Sequence, residues 1–163
     1  MKIAGYVLTV SALGLLLLAG ANTSPALHFP LHHFSIDPLE TPTAGTNSVL
    51  LIMNLTPSDG FAPNVNVMTQ NYPGTLDDYI ALSKQQTATA DWNWLKGDKI
   101  DDTTAIIEYT GKKAALSLHF YAKVSRKGQE FILTTATATE KQWATSSPQL
   151  RACVESFHRD ADQ

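Results

Sequence analysis

From residue 48 onward the hydrophobic pattern changes period several times, and each change marks an element. "SVLLIMNLTPSDG" (48–60) is an apolar, β-rich run closed by a Pro-Ser-Asp-Gly turn. "PNVNVMTQ" follows within hairpin distance, so the two segments are expected to pair. Thr75 opens a helix: its hydroxyl can accept from the amide three residues on, and Asp77 and Asp78 lie at the positive end. Leu76, Tyr79, Ile80 and Ser83 share one face, so "TLDDYIALSKQQTA" packs one side against something flat.

Four strand-like runs follow: "DWNWLKGDKI", "TTAIIEYT", "AALSLHFYAKV" and "EFILTTATAT". The short polar links "DD", "TGKK" and "SRKGQ" make a meander of them. Leu116, Leu118, Phe120, Ala122 and Val124 point one way, and Ser117, His119, Tyr121 and Lys123 the other. In the next run Phe131, Leu133, Thr135, Thr137 and Thr139 oppose Ile132, Thr134, Ala136 and Ala138, so both faces are partly apolar. The closing segment "SSPQLRACVESF" reads as a helix with Ser147 as N-cap and Pro148 at its first position. Leu150, Cys153, Val154 and Phe157 form its apolar stripe. The expected fold is α+β: an antiparallel sheet of about six strands flanked by helices, layered α-β-α.

The first 47 residues carry a different pattern. "MKIAGYVLTVSALGLLLLAGA" has one cation, Lys2, a long apolar run and a small-x-small ending, and so reads as a signal peptide cleaved after Ala21. An uncleaved anchor is the competing reading, because residues 3–21 are nearly long enough to cross a hydrocarbon core of roughly 30 Å. Residues 22–47, rich in Pro, Thr and His, read as an extended arm with a short strand near "HFSI". Residues 48–158 then form one domain and 159–163 a tail.

Composition narrows the partners. Removing residues 1–21 takes 163 residues to 142 and the net charge from −3 to −4. That chain is long enough for one core and lacks the basic footprint that nucleic acid or an anionic membrane surface demands. No stable membrane insertion is expected after cleavage. Cys153 stands alone, which rules out an intramolecular disulfide, so packing must hold the fold.

The order "GFAPNVNVMTQ", "TLDDYIALS", "EYTG", "EFILTTATATEKQW" and "LRACVESF" resembles the PsbP-like superfamily over roughly residues 34–158. Within it, the chain is similar to small bacterial envelope proteins of the DcrB kind. The resemblance implies a sheet sandwiched between helices and a non-enzymatic role. Members include a photosystem II extrinsic subunit, a Ran-binding nuclear transport factor and bacterial envelope proteins. Fold alone does not transfer such functions.

Asn64 and Asn66 project to one strand face and could offer two amides to a partner; the competing reading is that they satisfy backbone groups beside Pro63. Trp92 and Trp94 share a face, as a binding platform if exposed and as core if covered. His28, His32 and His33, with Asp37 and Glu40 downstream, are the one cluster resembling metal ligands, though Pro30 disfavours the helix that their spacing would need. His119, Tyr121 and Glu108 could converge as acid and base; cross-strand pairing under a helix is the alternative. Neither a nucleophile elbow, a zinc-protease motif, a phosphate loop nor a C-x-x-C is present. The expectation is an exported, periplasmic or secreted, non-catalytic module that assists an envelope protein and needs no cofactor. A small-ligand or metal-ion carrier is the alternative. The oligomeric state is left open.

Overall fold

The computed structural model describes residues 26–36 and 48–160, which belong to two separate units. In the first unit, β1 (Leu27–Phe29) and β2 (Phe34–Ile36) pair antiparallel around a 3₁₀ turn at Pro30–His32. His33 leaves that turn with φ of 53°, in the left-handed region. Phe29 and Phe34 stack at 4.7 Å. The described part of the expected arm is therefore a small hairpin, while Asp37, Glu40 and residues 1–25 lie outside the described residues.

The second unit is a six-stranded antiparallel sheet with two helices. Its strands are β3 (Ser48–Asn54), β4 (Asn64–Asn71), β5 (Asn93–Lys99), β6 (Thr104–Lys113), β7 (Leu116–Lys127) and β8 (Glu130–Thr139), ordered β3-β4-β8-β7-β6-β5. β5 to β8 form the expected meander, and β3 pairs with β4 as expected. The hairpin joins the meander through β4 and β8, in the register Asn64–Thr137 to Asn71–Glu130.

Alternation along the strands feeds two cores. Toward α1 (Leu76–Thr89) lie Leu76, Tyr79, Ala105, Ile107, Val124 and Phe131. Toward α2 (Glu140–Glu155) lie Val65, Ile106, Tyr121, Ala136 and Ala138, closed by Trp143, Leu150 and Val154 of the helix. The neighbours Ile106 and Ile107 thus serve opposite layers, as a pleat requires. Each large side chain so buried contributes about 1.5–3 kcal/mol before ordering entropy is subtracted.

Both helices begin with a capping box. At α1, the Asp78 amide donates to Thr75 Oγ1 (3.2 Å) and the Thr75 amide donates back to the Asp78 carboxylate (2.9 Å). Hydrogen bonds from the Thr75 side chain and backbone hold the Asp78 carboxyl below its ordinary range. At α2 the cap is Thr139, whose hydroxyl accepts from the Gln142 amide at 3.2 Å. The expected start at Ser147 and Pro148 is corrected: Pro148 lies inside a helix that begins two turns earlier and takes in Trp143 as its fourth residue. Pro148 is on the exposed side, where the Ala144 carbonyl left without a donor is open to water.

Candidate functional site

α1 lies over β5 and β6 and leaves the β4–β8 half of the same face without a helix. The result is a groove of about 470 Å³. Its floor is Asn66 and Met68 of β4, Leu133, Thr135 and Thr137 of β8, and Phe120 and Ala122 of β7. Tyr79, Ser83, Gln86 and Thr87 of α1 form one wall, and Trp92 and Tyr109 close an end. Every lining residue is uncharged, in a chain of which 17% is charged.

The aromatic end is built on a missing side chain. Trp92 lies flat over Gly111, where a Cβ would come within 2.3 Å of its ring. Trp92, Tyr109 and Phe120 stack on one another at 4.8 to 5.7 Å with interplanar angles of 11° to 18°. Trp92 Nε1 donates to the Lys112 carbonyl at 3.3 Å, leaving the indole fixed by its edge as well as its face. Deeper in, Tyr79 stacks on Phe131 at 4.6 Å and its hydroxyl donates to Gln70 Oε1. Burial, with a smaller contribution from Tyr109, keeps the Tyr79 phenol far above its ordinary range and hence neutral. Burial also raises Tyr109.

Of the four residues singled out for partner binding, the groove gathers two. Asn66 and Trp92 line it. Asn64 shares the Asn66 face but donates its side-chain amide to the Ala62 carbonyl at 3.1 Å. Trp94 packs against the α1-side core over Gly97, where a Cβ would lie 2.3 Å from its ring. The threonine and glutamine lining was not singled out from the sequence. Its signal is the run Thr135-x-Thr137 facing Asn66, which needs the β4–β8 register to be seen.

In the first unit, His28 Nδ1 lies 2.7 Å from Ser35 Oγ, and His32 and His33 are exposed. Among the described residues no group of His, Cys, Asp and Glu is placed to hold a metal ion.

His119 and Glu108 do meet, on the opposite face. His119 Nε2 lies 2.7 Å from Glu108 and Nδ1 lies 3.0 Å from Glu140. Arg151 also donates to Glu108 and lies 4.1 Å over the Tyr121 ring. The His119 ring stacks on Trp143 at 4.1 Å. Tyr121 bonds to Glu155 rather than to His119, at 2.7 Å. Both imidazole nitrogens lie against carboxylates, one on β6 and one on α2, so the cluster ties α2 to the sheet. The expected helix opens only at Ser147, so the sequence reading does not place Glu140 or Trp143 beside His119, and Arg151, inside that expected helix, reaches Glu108 through a contact that no local pattern carries.

No family model matches the chain, and no curated protein matches it in sequence. Among solved structures it is similar to PA94 of Pseudomonas aeruginosa, a protein of unknown function named as a candidate regulator. The TM-score is 0.58 at 13% identity, over 85% of this chain and all of that one. It is also similar to cyanobacterial PsbP (CyanoP) of Synechocystis sp. PCC 6803, with a TM-score of 0.43 and 18% identity, over 60% of this chain and 68% of that one. Among the described residues no helix is long and apolar enough to cross a membrane. The chain has the α+β fold that PA94 has.

Proposed function

We propose that the chain is an exported, non-catalytic accessory module, of the kind seen among DcrB-like envelope proteins, that holds an uncharged segment of an envelope protein in the groove beside α1. The groove carries this reading: it is open, about 470 Å³ in volume and lined without a single charge, with amides and hydroxyls opposite an aromatic end. Such a surface favours a segment with polar backbone and apolar side chains and penalises a charged one, whose desolvation nothing would offset. The leader-like residues 1–21 support export to the periplasm or beyond.

The test is a photo-crosslinking residue at position 66 in cells, with position 98 on β5 as control. One recurrent envelope protein attached at 66 and absent at 98 supports the proposal. Asn66→Lys should lower its recovery while leaving the melting temperature unchanged, whereas loss of folding would make Asn66 a structural residue. The second reading is a carrier of a small neutral ligand in the same groove, whose volume falls within the usual range of such sites. A neutral ligand would raise the melting temperature with the logarithm of its concentration over Kd. The metal-carrier version, through His28, His32 and His33, predicts that shift with Zn, Mn, Cu or Ca, and no shift with any of them ends it.

A further inference from the structure

The strand register lays out the groove floor as a grid. Asn66 of β4, Thr135 of β8, Ala122 of β7 and Ile107 of β6 stand abreast in one row, and Asn64, Thr137, Phe120 and Tyr109 in the next. Both rows run from amide and hydroxyl on one side to apolar or aromatic on the other. A third row, Met68, Leu133 and Val124, is aliphatic throughout. Trp92 lies against Tyr109 and Phe120, and all three rings are half-buried, so part of each stays open.

The fold leaves the polar side of this grid unsatisfied. Thr135 and Thr137 are only 9% and 6% exposed. Among the described residues neither hydroxyl has a hydrogen-bond partner, nor has the Asn66 side-chain amide or the Tyr109 phenol. None of these groups is sealed in: the sealed, unpartnered side-chain atoms among the described residues are Arg126 Nε and Thr134 Oγ1. Buried hydroxyls that open onto a groove without a partner call for one from outside. The backbone beneath them is closed, because β8 is paired with β4 and β7, and β4 with β3 and β8. A guest therefore meets side chains and no free backbone edge, so it cannot add as a strand.

We infer that the segment held beside α1 is proline-bearing and adopts the polyproline conformation, with a pyrrolidine ring against the Trp92, Tyr109 and Phe120 end and its carbonyls accepting from Thr135, Thr137 and Asn66. The inference rests on the reading that the groove holds a segment of another protein, and gives that segment its chemistry. Proline has no N–H to leave unpaired, and the polyproline conformation uses no carbonyl internally, so each is free for a hydroxyl or amide. Grooves lined by aromatic side chains take such segments because a preformed helix loses little entropy on docking. Residues between the prolines are uncharged, because no lining group would pair with a charge. A neutral saccharide would also satisfy the threonines, but it would press its remaining hydroxyls against Met68, Leu133 and Val124, which offer them no partner.

The test is titration of the full chain with blocked, uncharged probes, followed by NMR at the Thr135 and Thr137 amides and the Trp92 indole. An Ala-Pro repeat peptide is expected to bind, whereas an Ala-Gln repeat of the same length and maltohexaose are not. Thr135→Val and Thr137→Val keep the side-chain shape and remove the hydroxyl, and each should weaken binding of the Ala-Pro repeat about two- to tenfold. Tm should stay level or rise in both, because in the free protein these hydroxyls bond to nothing. A lower Tm with binding unchanged would make the hydroxyls structural and overturn the inference. Equal binding of the two repeats overturns it too and leaves the segment reading standing. Binding of maltohexaose alone, or of no probe, also overturns it; the segment reading is then decided by the cross-link at position 66, where an empty result removes it as well.

Discussion

The two faces of the sheet are covered to different degrees, although the same strands build both. Toward α2, Ala136, Ala138 and Val154 are fully buried and a charged cluster, Glu108 with His119 and Arg151, ties helix to strands. Toward α1 the core gathers around Phe131, Tyr79 and Val124, and the β4–β8 half carries Asn66, Thr135 and Thr137 where large apolar side chains would have filled the layer. Small residues let α2 approach closely, whereas hydroxyls and amides leave α1 to one side. Coverage is decided by side-chain size and polarity on each face rather than by the strands.

The comparison breaks most sharply at one anchor on each side. Phe131→Ala removes a fully buried ring from the α1-side core and should cost about 3–5 kcal/mol in urea unfolding. Glu108→Ala removes the carboxylate shared by His119 and Arg151 and should cost a similar ~3–5 kcal/mol. If Glu108→Ala costs under about 1 kcal/mol, the apolar stripe of α2 alone holds that face and the electrostatic half of the contrast is wrong.

Alkali separates the faces more gently. Tyr79 lies toward α1, with its phenol held far above the ordinary range by burial. Tyr121 lies toward α2, pushed up to about 12 by burial first and by its bond to Glu155 second. Above the ordinary tyrosine range near pH 10, the unfolded chain has released protons that the folded chain keeps, so stability falls as pH rises. Below that range these two groups leave it flat. Tyr79→Phe should flatten the alkaline limb more than Tyr121→Phe does, and the reverse order would place the drier environment under α2.

The caps give a smaller contrast. Thr139→Ala breaks a buried capping box and should cost up to about 2 kcal/mol, while Thr75→Ala, at an exposed one, should cost about 1 kcal/mol or less. Equal losses would mean that burial adds nothing to the cap. The smallest effect belongs to the groove, where Asn66→Ala should change stability by no more than ~0.5 kcal/mol. A larger loss would make Asn66 part of the scaffold.

Much of the fold was legible because its signals are local. The alternation of Leu118, His119, Phe120 and Tyr121 assigns the two faces without reference to any other strand, and Thr75-x-x-Asp78 announces α1. The start of α2 was hidden because Thr135-Ala-Thr-Ala-Thr139 runs into Glu140 with no turn residue between, and Pro148 imitates a first helical position. The pattern Thr139-x-x-Gln142 could have revealed it. The groove was legible only in part. Asn66 and Trp92 stood out by residue type, but the gap between them exists because Asn66 pairs with Thr135, 69 positions on, a relation that no local pattern carries.

That same register sets an order of events in time. Asn71 must wait for Glu130, 59 positions later, before β4 gains its second neighbour. At ordinary rates of synthesis the wait is ~3–12 s. Throughout it the β3–β4 hairpin, the part of the sheet richest in uncovered aliphatic side chains, has no meander to join. The meander β5–β8 closes on itself through short turns and can form quickly, whereas docking of the hairpin is the long-range step and should limit the folding rate. The nascent hairpin is therefore where a chaperone would be needed first.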